Sequence, residues 1–345
     1  NELSIMLNQD NSLISNNIKS LIIDYNDHLW IGTDNGLAIY DLKTKTFNHF
    51  YQDLTHSYIS SLFIDKSHVL WIGIAGGGLY AYYLDQLAFS VYQSDPSDTN
   101  TIINNNVKAI CEDQEGKIWT GTYRHGISII DEKTGIIKHI NKKTYPQLIS
   151  NNIRVIIEES NGIIWIGTNK GLVSFNPVSE RLISYEDDLE DISIRINAIQ
   201  EITPGYLLVG TMEKIRLFDT RLNEYLEYYP FHGIQLEIST FYIDAHQELW
   251  VGTQNKGLFK LNISPDPERM DTSISKEELF IQYMKSETSK GGINSNKIFS
   301  ICEDTSEHSL WIGTDNGLNM LDRETGFFSH YTLEDRLPDN YIYSV

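Results

Sequence analysis

The sequence is poor in cysteine, poor in proline and free of long apolar runs. Only two cysteines, Cys111 and Cys302, occur in 345 residues, too few for a disulfide framework to hold the fold. Eight prolines and no compositionally biased segment leave no stretch that composition alone would keep disordered. No run approaches the roughly 18–20 apolar residues that a membrane-spanning helix needs. The chain opens NELSIMLNQD, with neither a basic start nor an apolar stretch to mark a leader peptide. It is therefore expected to be a mature or excised portion of a longer polypeptide that continues past DNYIYSV. Cations are in deficit as well: 27 Lys and Arg against 47 Asp and Glu give a net charge of −20. Such a surface repels phosphate backbones and anionic lipid, which argues against nucleic acid as a partner. Helical periodicity is missing too. The apolar segments are short, β-branched or aromatic, and bounded by Asn, Asp and Gly, as strands are.

What is present is a repeat. LWIGTDNGLAIYD begins at Leu29, LWIGIAGGGLYAY at Leu70, IWTGTYRHGISIID at Ile118 and IWIGTNKGLVSFN at Ile164. A degenerate copy, LLVGTMEKIRLFD, begins at Leu207, followed by LWVGTQNKGLFKL at Leu249 and LWIGTDNGLNMLD at Leu310. All six tryptophans fall at one position of this repeat: Trp30, Trp71, Trp119, Trp165, Trp250 and Trp311, with Leu208 in their place in the fifth copy. The successive spacings are 41, 48, 46, 43, 42 and 61 residues, the period of a four-stranded propeller blade. The expected fold is all-β: a seven-bladed β-propeller of four-stranded antiparallel blades forming a single domain over 1–345. Its motif-bearing blades lie near 14–52, 57–93, 102–141, 149–186, 193–229, 236–284 and 293–331, and 332–345 is the start of a following unit or an orphan strand.

Blade one can be read strand by strand. Strand A is IKSLIID from Ile18, strand B is LWIGT from Leu29, strand C is LAIYD from Leu37, and strand D is FNHFYQ from Phe47. Between B and C stands Asp34-Asn35-Gly36, a tight-hairpin signal. The repeated Trp is expected to wedge between blades, where its large area counts most. The Gly two residues after it, such as Gly32 or Gly121, is expected to let the neighbouring blade approach. An acid six residues before the Trp (Asp24, Asp65, Asp113, Glu159, Asp244), or seven before it in blade seven (Asp304), is expected to accept hydrogen bonds from the A–B turn.

Three irregularities stand out. The N-terminal SIMLNQD and the segment FFSHYTLED from Phe327 compete to be the outer strand of blade seven, and the second is favoured. About nineteen extra residues, NISPDPERMDTSISKEELF from Asn262, form a C–D excursion in blade six. Cys111 and Cys302 occupy matching places on strand A of blades three and seven, so they are expected to be two free, buried thiols.

Catalytic and metal signatures are sparse. There is no G-x-S-x-G elbow, no phosphate loop and no His-His or Cys-His ligand spacing, so no cofactor and no metal is expected. Carboxylates are plentiful, but spacing cannot pair two of them for glycoside cleavage. The best candidate site is an irregular B–C turn. Most of these turns read DNG or NKG, whereas blade three carries Tyr123, Arg124 and His125: a ring to stack on a sugar, a fork for carboxylate or hydroxyls, and an imidazole. Lys170, Lys214 and Lys256 hold equivalent turns of blades four, five and six. Tyr58, Arg154 and Arg195 come from the D–A loops, which share a face with the B–C turns. Against a −20 chain, an acidic sugar or an acidic neighbouring domain would meet these cations. The competing reading is ordinary solvated turn residues.

The pattern N-N-I-K-S-L-I-I-D-Y-N-D-H-L-W-I-G-T-D-N-G-L, repeated best in blades one, three, four and seven, resembles the two-component regulator propeller repeat. The resemblance implies the periplasmic sensor region of a Bacteroidetes hybrid two-component system, part of an inner-membrane receptor whose whole chain is a histidine kinase. It implies as partners a second propeller and an immunoglobulin-like domain of the same receptor. It also implies a polysaccharide-derived oligosaccharide as signal. This sensor reading expects no turnover and a binding surface shared with a neighbouring domain or with a second protomer in a homodimer. The alternative is a propeller-fold polysaccharide lyase or glycosidase.

Overall fold

The computed structural model describes residues 15, 17–44, 46–49, 54, 57–84, 88–185, 195–226, 236–261, 280–286, 292–304, 308–332 and 341–342. They form seven four-stranded antiparallel sheets, each with its strands in sequence order. The fold class is the expected seven-bladed β-propeller. Blade one comprises β1 (Ile18–Ile23), β2 (His28–Thr33), β3 (Gly36–Asp41) and β4 (Thr46–His49). Blade two comprises β5 (Ile59–Ile64), β6 (Val69–Ile74), β7 (Gly78–Tyr83) and β8 (Ala88–Tyr92), and blade three β9 (Val107–Glu112), β10 (Ile118–Thr122), β11 (Gly126–Asp131) and β12 (Ile136–Ile140). Blade four comprises β13 (Ile153–Glu158), β14 (Ile164–Thr168), β15 (Gly171–Asn176) and β16 (Arg181–Tyr185), and blade five β17 (Ile196–Thr203), β18 (Tyr206–Thr211), β19 (Ile215–Asp219) and β20 (Glu224–Leu226). Blade six comprises β21 (Ile238–Ile243), β22 (Leu249–Thr253), β23 (Leu258–Leu261) and β24 (Phe280–Tyr283), and blade seven β25 (Ile298–Asp304), β26 (Ser309–Thr314), β27 (Gly317–Asp322) and β28 (Phe328–Tyr331). By internal contact the chain falls into two compact units, 1–156 with 331–345, and 157–330.

Blade seven has its own fourth strand, β28, as favoured from the sequence. SIMLNQD lies outside the described residues, as does nearly all of the blade-six excursion; strand D resumes at Phe280. The degenerate fifth blade forms a complete sheet despite lacking the Trp, with Leu208 buried in its place.

The acid before the Trp does more than the sequence promised. One oxygen of Asp113 accepts the backbone N–H of Glu115 at 3.0 Å and of Lys117 at 2.8 Å. Its other oxygen accepts the indole N–H of Trp119 at 2.8 Å. The same three-way bond recurs at Asp24, Asp65 and Asp244, with indole distances of 2.8, 2.7 and 2.8 Å. The carboxylate thus fixes the turn and the rotamer of the Trp together. In blade four Glu159, one carbon longer, accepts Trp165 at 2.8 Å and the Thr220 hydroxyl of blade five at 2.6 Å.

Oriented in this way, the Trp packs across to the next blade. Trp30 meets Tyr82 of blade two at 5.2 Å between ring centroids, and Trp165 meets Phe218 of blade five at 5.2 Å. Five of the six tryptophans are buried; Trp311 is half-buried. The glycine after the Trp admits the following blade: a Cβ on Gly121 would lie 2.5 Å from Ile153 Cγ2, and one on Gly32 would lie 2.5 Å from Ile59 Cγ2. A glutamate at the end of strand A adds a latch between blades. Glu112, Glu201 and Glu303 accept backbone N–H groups of Lys66, Ser160 and Ala245 in the preceding blade at 2.8, 2.8 and 2.7 Å.

Cys111 and Cys302 are both free, as expected, but half-buried rather than buried. Burial falls along strand A towards the A–B turn, and both thiols lie in that less covered half.

These contacts set measurable costs. Gly121→Ala forces its Cβ against Ile153, and denaturant unfolding should show a loss of about 1–3 kcal/mol. Asp113→Ala strands a buried indole N–H and two turn N–H groups, with an expected loss of about 3 kcal/mol by the same measurement. Acid adds a pH dependence. Arg221 beside Asp219, with backbone N–H groups at the C–D turn, holds the Asp219 carboxyl at about 2. This group is depressed in the folded state, so its contribution is complete above the ordinary carboxylate range and fades as pH falls towards 2. An Asp219→Asn chain should therefore lose less stability than the parent between about pH 5 and 2, read as unfolding midpoints across that range.

Candidate functional site

In every blade but the second, where Ile74 stands instead, the B–C turn is built by the threonine that ends strand B. Its hydroxyl donates to the carbonyl that closes the hairpin, as from Thr33 to Gly36 at 2.8 Å and from Thr168 to Gly171 at 2.9 Å. It also accepts a turn N–H, from Asn35 at 3.1 Å and from Lys170 at 3.0 Å. The threonine satisfies part of each such turn locally, and the D–A loops bond the rest, as where Asp34 N–H donates to the Asn17 carbonyl at 2.9 Å and the Ser295 hydroxyl donates to Asp315.

In blade three the turn is longer. Thr122 donates to the Gly126 carbonyl at 2.8 Å across the intervening Tyr123, Arg124 and His125. Two D–A loops hold it in place: Tyr123 N–H donates to the Asn106 carbonyl at 3.0 Å, and Gly126 N–H to the Asn151 carbonyl at 2.9 Å. Gly126 has φ 105°, and a Cβ there would lie 2.3 Å from the Ile140 carbonyl oxygen. Arg124 takes φ 72°, a left-handed conformation uncommon for a long side chain. Its guanidinium lies 4.6 Å from the Tyr123 ring centroid, and the His125 imidazole Nδ1 stands 3.0 Å from the Tyr123 carbonyl. Arg124 and His125 are exposed and Tyr123 is half-buried. The result is a pre-formed cation–ring pair with a free guanidinium edge and an imidazole beside it, able to meet carboxylates and hydroxyls.

The other sequence candidates are distributed by blade. Tyr58 and Arg154 belong to the same compact unit as the Tyr123 turn, whereas Lys170, Arg195, Lys214 and Lys256 belong to the second. Tyr58 is exposed, with the Lys19 ammonium 5.2 Å from its ring centroid. Arg195 is half-buried and stands 3.7 Å from Glu237. Lys170 and Lys256 are exposed, and Lys214 and Arg154 are half-buried. The turn of Tyr123, Arg124 and His125 is the group that the structure brings into one contact cluster.

One site escaped the sequence reading. A polar pocket of about 400 Å³ opens at the A–B turns of blades six and seven and the C–D turn of blade seven, lined among others by His246, Glu248, Lys260, Tyr283, His308 and Arg323. None of the ligand-binding candidates from the sequence lines it, whereas Trp250, expected to be structural, does. The legible signal was Lys260. Opposite the repeated Trp, strand C carries Ile39, Ala81, Ile129, Ser174 and Met320 in blades one to four and seven, but Lys260 opposite Trp250. A charge where the repeat asks for an apolar or small residue departs from the folding pattern, and such departures mark function or strain. Among the described residues no cluster of His, Cys, Asp and Glu is disposed to hold a metal ion, and no helix is long and apolar enough to cross a membrane.

Comparison with known proteins follows the repeat. The two-component regulator propeller family model matches residues 12–35, 101–124, 147–170 and 292–316. Each match runs through strands A and B into the B–C turn. A curated relative, histidine kinase P4 of Formosa agariphila, is 31% identical over 153 residues, covering 41% of this chain and 11% of the kinase. Among solved structures, the extracellular domain of a putative hybrid two-component system of B. thetaiotaomicron is similar with TM-score 0.68 and 21% identity, over 92% of this chain and 48% of that one. Virginiamycin B lyase of Staphylococcus aureus is similar with TM-score 0.63 and 14% identity, over 94% of this chain and 96% of the lyase. At these identities the structural likenesses establish the fold. The chain spans about half the length of the extracellular domain and about a ninth of the kinase. The two-component regulator propeller model thus falls on blades one, three, four and seven of the seven.

Proposed function

We propose that this chain is an extracytoplasmic ligand-sensing propeller of a hybrid two-component histidine kinase, without catalytic activity of its own, and that its signal is an oligosaccharide released from a polysaccharide. The observation that carries the reading is the set of regulator-propeller repeats in four blades. The histidine kinase relative and the similarity to an extracellular domain support it. The chemistry of the repeat supports it as well. The recurrent Asp, Trp, Gly and Thr each have a structural partner, so the recurring polar residues are spent on folding. The side chains left for recognition are the irregular ones, above all Tyr123, Arg124 and His125. A guanidinium stacked on a ring is pre-organised, and binding costs less when the receiving group is already ordered. Its free edge suits an acidic sugar, with the Tyr123 ring offering an apolar face.

A second reading is a propeller lyase, favoured by the near-complete mutual coverage with virginiamycin B lyase. The two readings part on turnover. Calorimetric titration of the chain with defined neutral and uronate-bearing oligosaccharides should give saturable binding to an acidic member and no cleavage product on chromatography. Tyr123→Ala and Arg124→Ala should each weaken that binding by about tenfold or more, the scale of one lost charged contact, with the unfolding midpoint unchanged. Product formation would establish the lyase reading instead, and binding indifferent to both substitutions would remove this turn as the site.

A further inference from the structure

The pocket between blades six and seven is built by residues that the repeat does not require. Lys260 replaces the apolar or small residue found opposite the Trp elsewhere. Arg323 follows the acid that ends strand C, where blades one, two, four and five carry Leu42, Leu84, Pro177 and Thr220. Glu248, two residues before Trp250, is the third. The three are joined: Lys260 Nζ lies 2.7 Å from Glu248 Oε1, and Arg323 lies 2.7 Å from Glu248 Oε2. Arg323 reaches further in, to Asp244 at 2.7 Å and Glu303 at 2.6 Å. It is thus committed to the pocket wall, and its side chain is only 12% exposed. Lys260 and Glu248 remain open to the cavity at 23% and 32%.

The charges do not balance. Asp244, Glu248 and Glu303 face Arg323 and Lys260, three negatives against two positives, and Glu324 adds another on the exposed rim. The floor already receives a cation: the Lys260 ammonium lies 5.6 Å from the Trp250 ring centroid while it bonds Glu248. Tyr283 stacks beside that ring at 6.0 Å and extends the aromatic wall. Burial, with the charge of Glu248 beside it, pushes the Tyr283 phenol above its ordinary value, so it stays a neutral donor and acceptor. An aromatic wall with a carboxylate at hand is the chemistry that holds an ammonium or guanidinium group. Hard divalent ions need a convergent set of oxygen ligands, and among the described residues no group of carboxylates and imidazoles converges in that way.

We propose that this pocket binds a small organic cation, an ammonium or guanidinium group on a short aliphatic chain, held between Glu248, Glu324 and the Tyr283 ring. The site is separate from the blade-three turn and does not depend on its ligand. Calorimetric titration of the intact chain with agmatine and with putrescine tests it, with 1,4-butanediol, glucose and succinate as uncharged and anionic comparisons. Either amine should bind, and binding should weaken severalfold when salt rises from about 50 to about 500 mM. Lys260→Met, which restores the residue type of blade seven, removes a competing cation and should tighten amine binding severalfold. Glu248→Gln should weaken it by about tenfold or more. Glu324→Gln on the exposed rim should weaken it without moving the unfolding midpoint, and it decides the matter if Glu248→Gln fails to fold. Absence of amine binding, preference for the diol, glucose or succinate, or weaker amine binding by Lys260→Met would each overturn the proposal.

Discussion

A buried carboxylate at the end of strand A is the constraint on which the blades depend. Taking it out of water is costly, and the hydrogen bonds that its oxygens accept offset that cost. In blades one, two, three and six it accepts two turn N–H groups and the indole N–H of the Trp near the start of β2, β6, β10 or β22. One group therefore determines the A–B turn, the Trp rotamer and, through that Trp, the seat of the next blade. Blade four keeps the indole bond with a glutamate and spends its other oxygen on blade five. Blade five dispenses with the device and relies on Leu208, Phe218 and their neighbours.

The same economy governs contact between blades. Where Gly121 faces Ile153, or Gly32 faces Ile59, the absence of a side chain on one sheet is filled by a β-branched side chain on the next. Such an interface admits no added atom without displacement. The glutamate latches at Glu112, Glu201 and Glu303 reinforce it near the A–B turns. On the opposite side, a threonine hydroxyl closes the B–C hairpin in every blade but the second, with help from the D–A loops. In blades one and seven, side chains of those turns bond the D–A loops, as Asp34 and Asp315 do, whereas blade three places Tyr123 with the exposed Arg124 and His125 there.

Blades six and seven depart from this plan. Arg323, Glu248 and Lys260 put an ion network where apolar packing would serve stability as well or better. An ion network so placed leaves a polar pocket with charge to spare beside the A–B turns of blades six and seven.

The sequence by itself determined the blade count, the strand order and the folding role of the repeated residues, because a residue that recurs at one place in blade after blade reports a constraint that the blades share. Trp30, Trp71 and their counterparts, the acids six residues upstream and the glycines two downstream could be assigned in this way before any coordinate was known. It also marked the irregular turn at Tyr123. It misjudged the cover over Cys111 and Cys302, since burial along strand A depends on how far the neighbouring sheet extends. The pocket could be found only in the tertiary structure. Glu248, Lys260 and Arg323 lie on three different strands and turns of two blades, as much as 75 residues apart, and each alone resembles a surface charge. Their association is decided by the face-to-face packing of one sheet on the next, which brings together residues that the linear pattern keeps in separate repeats.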